Sequence, residues 1–162
     1  MRNRLTADQM TAISDEHSAT MLGYARQWLS AGAEDVVQSA FLALVRQNAD
    51  HGAPDNPVAW LYQAIRNAAV SQWRSESRRK NREEEVARSK VSYVATGPSI
   101  LEAQEVADSF ERLAADLRET VYLRIWGGLS FEEIAKTTGK SRSSVFRLYR
   151  EGLETMKKEL TK

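Results

Sequence analysis

The chain has 162 residues, 42% hydrophobic and 28% charged, with only 8 Gly and 3 Pro, which suits one compact domain or two small ones built of helices. It contains no Cys and two isolated histidines, His17 and His51, so disulfides and thiolate metal sites are excluded and no metal cage can be assembled. The net charge of +1 conceals blocks of −3 over residues 1–60, +4 over 61–90, −4 over 91–120 and +4 over 121–162, a pattern suited to a protein that touches polyanion at two places.

From Thr6 to Ser30 the apolar residues Met10, Ile13, Met21, Leu22, Ala25, Trp28 and Leu29 recur at three- and four-residue steps, the spacing of a helix face. Ala31-Gly32 ends that segment. A second helix begins near Ala33, with Glu34 and Asp35 in its first turn, where negative charge complements the helix dipole. Its apolar stripe is Val36, Val37, Ala40, Phe41, Leu44 and Val45. Residues 48–56, NADHGAPDN, read as a polar loop that closes on Asn56-Pro57, an N-cap followed by proline at the first helical position. The third helix runs to about Arg82. Its first half is apolar through Val58, Leu61, Ile65, Ala69 and Trp73, and its second half is basic.

Residues 83–99 lose periodicity and carry Gly97 and Pro98, so they read as a linker. Beyond them the spacing predicts a helix from Ile100 to about Asp116, a second from about Leu117 to Trp126, and then LSFEEIAKTTGKSRSSVFRLYREG. In that stretch Ser130 with Glu133 forms a capping box. Counting Phe131 as the first residue, Ala135 falls fifth, Gly139 ninth and Val145 fifteenth. Those are the positions where a helix-turn-helix needs a small residue under the crossing, a turn former and a buried branched side chain. Ile134 and Leu148 complete the seam. Lys140, tenth, departs from the usual apolar choice, and its stem can lie along the seam.

Ser141 caps the second helix of that pair and leaves Ser143, Ser144, Phe146, Arg147 and Arg150 for its outer surface. Such a helix enters the major groove by its N-terminal half. Arg142 and Arg147 then reach base edges or phosphates, while Ser141, Ser144 and the free N–H groups suit phosphate. A tight helical hairpin with no ligand is compatible with the same spacing.

Taken together, these segments resemble the extracytoplasmic-function sigma factors of bacterial RNA polymerase. AEDVVQSAFLALVRQ is similar to that family's polymerase-clamp helix, PVAWLYQAIRNAAVSQWRSESRRK to its −10 helix, and LRETVYLRIWGGLSFEEIAKTTGKSRSSVFRLYREGLETMKKEL to its −35 domain. The resemblance implies an all-α fold of two small helical domains joined by a flexible linker, with a helix-turn-helix in the second. The domains would be residues 1–82 (polymerase and −10 binding), the linker 83–99, and residues 100–162 (−35 binding). It implies core RNA polymerase and promoter DNA as partners, allows an anti-sigma protein as a third, and requires no cofactor.

Carried over residue by residue, the polymerase-binding positions are Glu34, Asp35 and Gln38, followed by Ser39 where the family usually has an acidic residue. Trp60 and Phe41 match family positions expected in the core. Arg66, Asn67, Arg74, Arg78, Arg79 and Lys80 would meet −10 DNA, with Ser71 in place of the family's frequent Asp. Asn48, Asp50 and His51 fall in the segment that, in the family, holds a base flipped out of the non-template strand. The −35 set is Ser141, Arg142, Ser143, Ser144, Phe146, Arg147 and Arg150, less basic than is usual. Two other readings remain open: a stand-alone helix-turn-helix regulator, and a sigma-like adaptor that binds polymerase without directing initiation. An enzyme is not expected, because no nucleophile–base pair, metal cluster or phosphate loop can be assembled. No apolar run approaches the roughly 20 residues that span a bilayer, and the N-terminus lacks the apolar stretch of a signal peptide, so a cytoplasmic protein is expected.

Overall fold

The computed structural model describes residues 2–80 and 100–162, with side chains described over 2–79 and 104–162. Among these residues the fold is all-α: α1 Ala7–Ala25, α2 Ala33–His51, α3 Pro57–Lys80, α4 Ile100–Glu111, α5 Ala115–Ile125, α6 Phe131–Thr138 and α7 Arg142–Leu160. The chain divides into two compact units, one within residues 1–90 and one within 91–162. The linker expected over 83–99 lies outside the described residues. No helix of the described residues is long and apolar enough to cross a membrane.

In the first unit α1, α2 and α3 pack on one another. Thr6 starts α1 with a full capping box, its Oγ1 accepting from the Gln9 N–H and Gln9 Oε1 accepting from the Thr6 N–H. Gly32, at φ 84°, makes the left-handed turn that launches α2. Asn56 accepts from the Ala59 N–H and caps α3 ahead of Pro57. The buried core comprises Met21, Tyr24 and Leu29, Val36, Val37 and Leu44 of α2, and Leu61, Tyr62 and Ile65 of α3. Tyr24 sits edge-on to both Trp28 (4.9 Å) and Tyr62 (5.3 Å), an arrangement aromatic quadrupoles favour.

Three expectations need correction here. α2 continues through His51, so the polar loop shrinks to residues 52–56; Gly52, at φ 91°, is what stops the helix. Val45 and Trp73, which the apolar spacing assigned to core faces, are 49% and 47% exposed. Trp73 lies near the end of its apolar stripe, where α3 has run past the elements it packs on, whereas Val45 lies between buried Leu44 and Asn48 and faces outward with Leu42. Trp60 and Phe41 are half-buried.

In the second unit α7 packs across α5 and also touches α4 and α6. The break between α4 and α5 comes at residues 112–114, so that α4 ends five residues and α5 begins two residues earlier than the spacing suggests. No Gly or Pro marks it. Leu113 turns into the core beside Phe110, and the Arg118 guanidinium donates to the Glu111 carbonyl (3.3 Å), taking up an end carbonyl of α4. Phe110, Tyr122 and Trp126 form an aromatic cluster over that turn, at 5.1–6.1 Å between ring centroids. Burial raises the Tyr122 hydroxyl above the ordinary tyrosine pKa. At the α5–α7 crossing Gly152 is buried, and a Cβ there would lie 2.6 Å from Val121 Cγ2.

Candidate DNA- and polymerase-binding faces

The helix-turn-helix is α6–turn–α7. Ser130 Oγ accepts from the Glu133 N–H (3.2 Å) and starts α6. Gly139, at φ 72°, ends it in the left-handed conformation, and Ser141 Oγ accepts from the Ser144 N–H (3.2 Å) to start α7. Ile134 and Val145 are fully buried between the helices and Leu148 is half-buried. Lys140 keeps its stem half-buried and brings its ammonium within 3.6 Å of Asp116. This is the arrangement the spacing of Ala135, Gly139 and Val145 anticipates.

On the far side of α7 the side chains of Arg142, Ser143, Phe146, Arg147 and Arg150 are all exposed, one helical face of three guanidinium groups around a phenyl ring. Ser144 is half-buried and engaged with Ser141, its hydroxyl accepting a 2.9 Å bond as its N–H caps the helix. Arg142 lies 3.7 Å from Glu132 and Arg150 3.9 Å from Glu154, pairs between exposed side chains that contribute little and are easily exchanged for a phosphate.

In the first unit, Arg66, Asn67, Arg74 and Arg78 come together along one shallow groove on α3, with Val70 and Ser71 between them. The Arg66 guanidinium also lies 5.9 Å over the Trp28 ring, which limits how far it can swing. Arg79 is exposed and outside that groove. The Lys80 side chain lies outside the described residues. Exposed Trp73 sits on the same basic half of α3; an aromatic face beside guanidinium groups is the usual composition of a single-strand surface.

The three residues expected to hold an extruded base do not act as a group. Asp50 and His51 are exposed at the end of α2, but Asn48 is buried. Its Oδ1 accepts from the Leu5 N–H (2.8 Å) and its Nδ2 donates to the Leu5 carbonyl (3.0 Å), so both ends of the amide serve the protein's own N-terminal segment. That segment, Arg2–Leu5, runs along the end of α2 as a strap. The Asn3 carbonyl accepts from the Ala53 N–H (2.8 Å), the Arg4 guanidinium donates to the Ala49 carbonyl (3.1 Å), and Arg2 donates to the Asp50 carbonyl (3.3 Å). Arg2 and Arg4 thus complement the negative end of α2. Gly52 is required beneath the strap, because a Cβ would fall 2.9 Å from the Asn3 carbonyl. The sequence reading missed the strap; its only local signal is the paired arginines of MRNRL.

α2 turns Glu34, Asp35, Gln38 and Ser39 outward. Its own backbone N–H and a 3.0 Å bond from Arg26 hold the Glu34 carboxyl below the ordinary value. Leu42 (53% exposed) and Val45 continue the stripe begun by Asp35 and Gln38 at three- and four-residue steps. The face is acidic at its start and apolar further along, which suits a protein partner better than a polyanion. Among the described residues no group of three or more His, Asp or Glu could hold a metal ion.

Residues 13–79 match the family described as Sigma-70 region 2, and residues 103–156 match Sigma-70, region 4. The fold resembles that of the sigma factor RpoE solved with the anti-sigma factor NepR from Bartonella quintana, with a TM-score of 0.77 and 20% identity over 96% of this chain and 98% of that one. It also resembles CnrH solved in complex with the cytosolic domain of CnrY, with a TM-score of 0.61 and 23% identity over 96% of this chain and 90% of that one. A search of curated proteins by sequence returns no significant match.

Proposed function

This chain belongs to the sigma-70 family as an extracytoplasmic-function sigma factor, and from that membership we propose how its surfaces divide the work of promoter recognition. The observation that carries the proposal is the coincidence of family region with exposed chemistry. The region 2 match contains both the acidic-apolar face of α2 and the guanidinium groove of α3, and the region 4 match contains the arginine face of α7.

Core RNA polymerase docks on Glu34, Asp35 and Gln38 together with Leu42 and Val45. The groove of Arg66, Asn67, Arg74 and Arg78 holds the −10 element, with Arg79 and Lys80 serving the phosphates upstream. The exposed end of α2, Asp50 and His51, meets the displaced strand, and the strap holds that end in place. The face of α7 reads the −35 element, phosphates being met by Ser143 and the free N–H groups.

Binding alone does the work. Contact of Asp50 and His51 with the displaced strand is available only in the melted promoter, so the factor biases opening by differential affinity and has no chemical step of its own. The protein works in the cytoplasm. RpoE was solved with an anti-sigma factor, and a partner of that kind would silence this chain by covering the same faces.

Two substitutions separate the surfaces. Asp35→Arg should abolish association with core polymerase and leave the helical content unchanged. Arg147→Ala should leave core association intact and weaken promoter binding by about 1–3 kcal/mol, the usual worth of one base contact. Loss of core association in Arg147→Ala, or loss of helical content in Asp35→Arg, contradicts the division.

A further inference from the structure

The phenyl ring of Phe146 stands nearly half exposed, at 47%, among Arg142, Arg147 and Arg150 on the outer face of α7. It is also held still. The Phe131 ring meets it edge-on at 5.4 Å and 87°, and Phe131 is itself fixed by Tyr149 at 5.4 Å and by the Arg124 guanidinium 4.6 Å over its face. The Arg150 guanidinium lies 5.9 Å from the Phe146 centroid. An apolar side chain that is exposed and rigid, and surrounded by cations, fits a surface that is anionic at its edges and apolar at one point. The DNA major groove offers that combination at a thymine, whose 5-methyl is the one apolar group any base presents there, flanked by phosphates.

Resting on the reading of α7 as the −35 helix, we propose that Phe146 is a specificity-determining residue that packs on a thymine 5-methyl in the −35 element. The neighbouring arginines supply the phosphate and base-edge contacts that hold the ring in register. A ring already fixed by Phe131 loses little freedom on binding, so the contact is selective for the base that carries the methyl.

The test replaces thymine by deoxyuridine, which removes the methyl and nothing else. Holoenzyme is reconstituted from core polymerase and the full chain, and bound to a promoter whose start has been mapped. Each −35 thymine of that promoter is replaced singly, on either strand. Wild-type holoenzyme should bind about 3- to 10-fold more weakly at one position, the loss expected for one methyl contact. Phe146→Ala should bind both DNAs alike, at the level of wild type on the deoxyuridine DNA, and Phe146→Leu should keep part of the discrimination. Indifference of wild type to every methyl, or discrimination that survives Phe146→Ala, overturns the proposal. Failure of the underlying reading looks different: no promoter is then bound specifically by any version of the chain.

Discussion

Gly152 faces Val121 and Leu117 of α5 with no room for a Cβ, and Gly152→Ala tests whether that contact sets the position of the recognition helix. The added Cβ would lie 2.6 Å from Val121 Cγ2 and 3.6–3.7 Å from Leu117. Val121 is fully buried, and a β-branched side chain in a helix has essentially one rotamer, so its methyl cannot swing aside. Either α7 moves outward or the pair is overpacked, at a cost of about 1–3 kcal/mol. Alanine regains about 1 kcal/mol of helix propensity over glycine. The net should fall at about 0–2 kcal/mol of destabilisation, towards the upper end if Val121 is rigid, which lowers the melting temperature of a unit this size by up to about 16 °C.

Hydrogen exchange resolved by segment is the suitable assay, because it reads residues 104–162 apart from the first unit. The double variant Gly152→Ala with Val121→Ala should be less destabilised than the sum of the two single changes, since the clash is then absent. Additive costs in the double variant, or a more stable unit in Gly152→Ala alone, would refute the reasoning.

Asn48→Ala removes both bonds to Leu5, each worth about 1 kcal/mol. The Leu5 amide should then exchange freely while the core of α2 stays protected; continued protection of Leu5 would show that the strap is held by other contacts. Tyr122 keeps its proton in the folded unit to higher pH than in the unfolded chain. Its contribution to stability is therefore complete below about pH 10 and is lost as pH rises beyond it. Urea unfolding from pH 8 to 11.5 should show that decline in the wild type and a smaller one in Tyr122→Phe, and equal declines would contradict it.

The sequence was most legible where a single residue type answers a local geometric need. Asn56-Pro57, Ser130, Gly139 and Ser141 each mark a helix end through their own backbone or side chain, and Ala135 and Val145 mark the crossing of α6 and α7. These features need no knowledge of the rest of the chain. The break at 112–114 was not legible, because it is made by Leu113 turning inward and by Arg118 reaching back to the Glu111 carbonyl. The same holds for Asn48, whose partner Leu5 is 43 residues away. A polar residue at the end of a polar loop looks available for a ligand until the segment that occupies it is seen. Val45 and Trp73 show the converse case. Periodicity says that they share a stripe with core residues, but which edge of a stripe is covered, as at Val45 beside buried Leu44, and how far along a helix its packing partners reach, as at Trp73, depend on the tertiary structure.

The central claim is that this chain confers promoter recognition on core RNA polymerase, and run-off transcription with start-site mapping tests it most directly. Core enzyme alone and core enzyme with the full chain are compared on a pool of genomic promoter fragments. New, discrete starts should appear only with the chain, sharing sequence at −10 and −35, and they should vanish with Asp35→Arg. The same starts with and without the chain, or binding to core polymerase that yields no new start, would contradict the account.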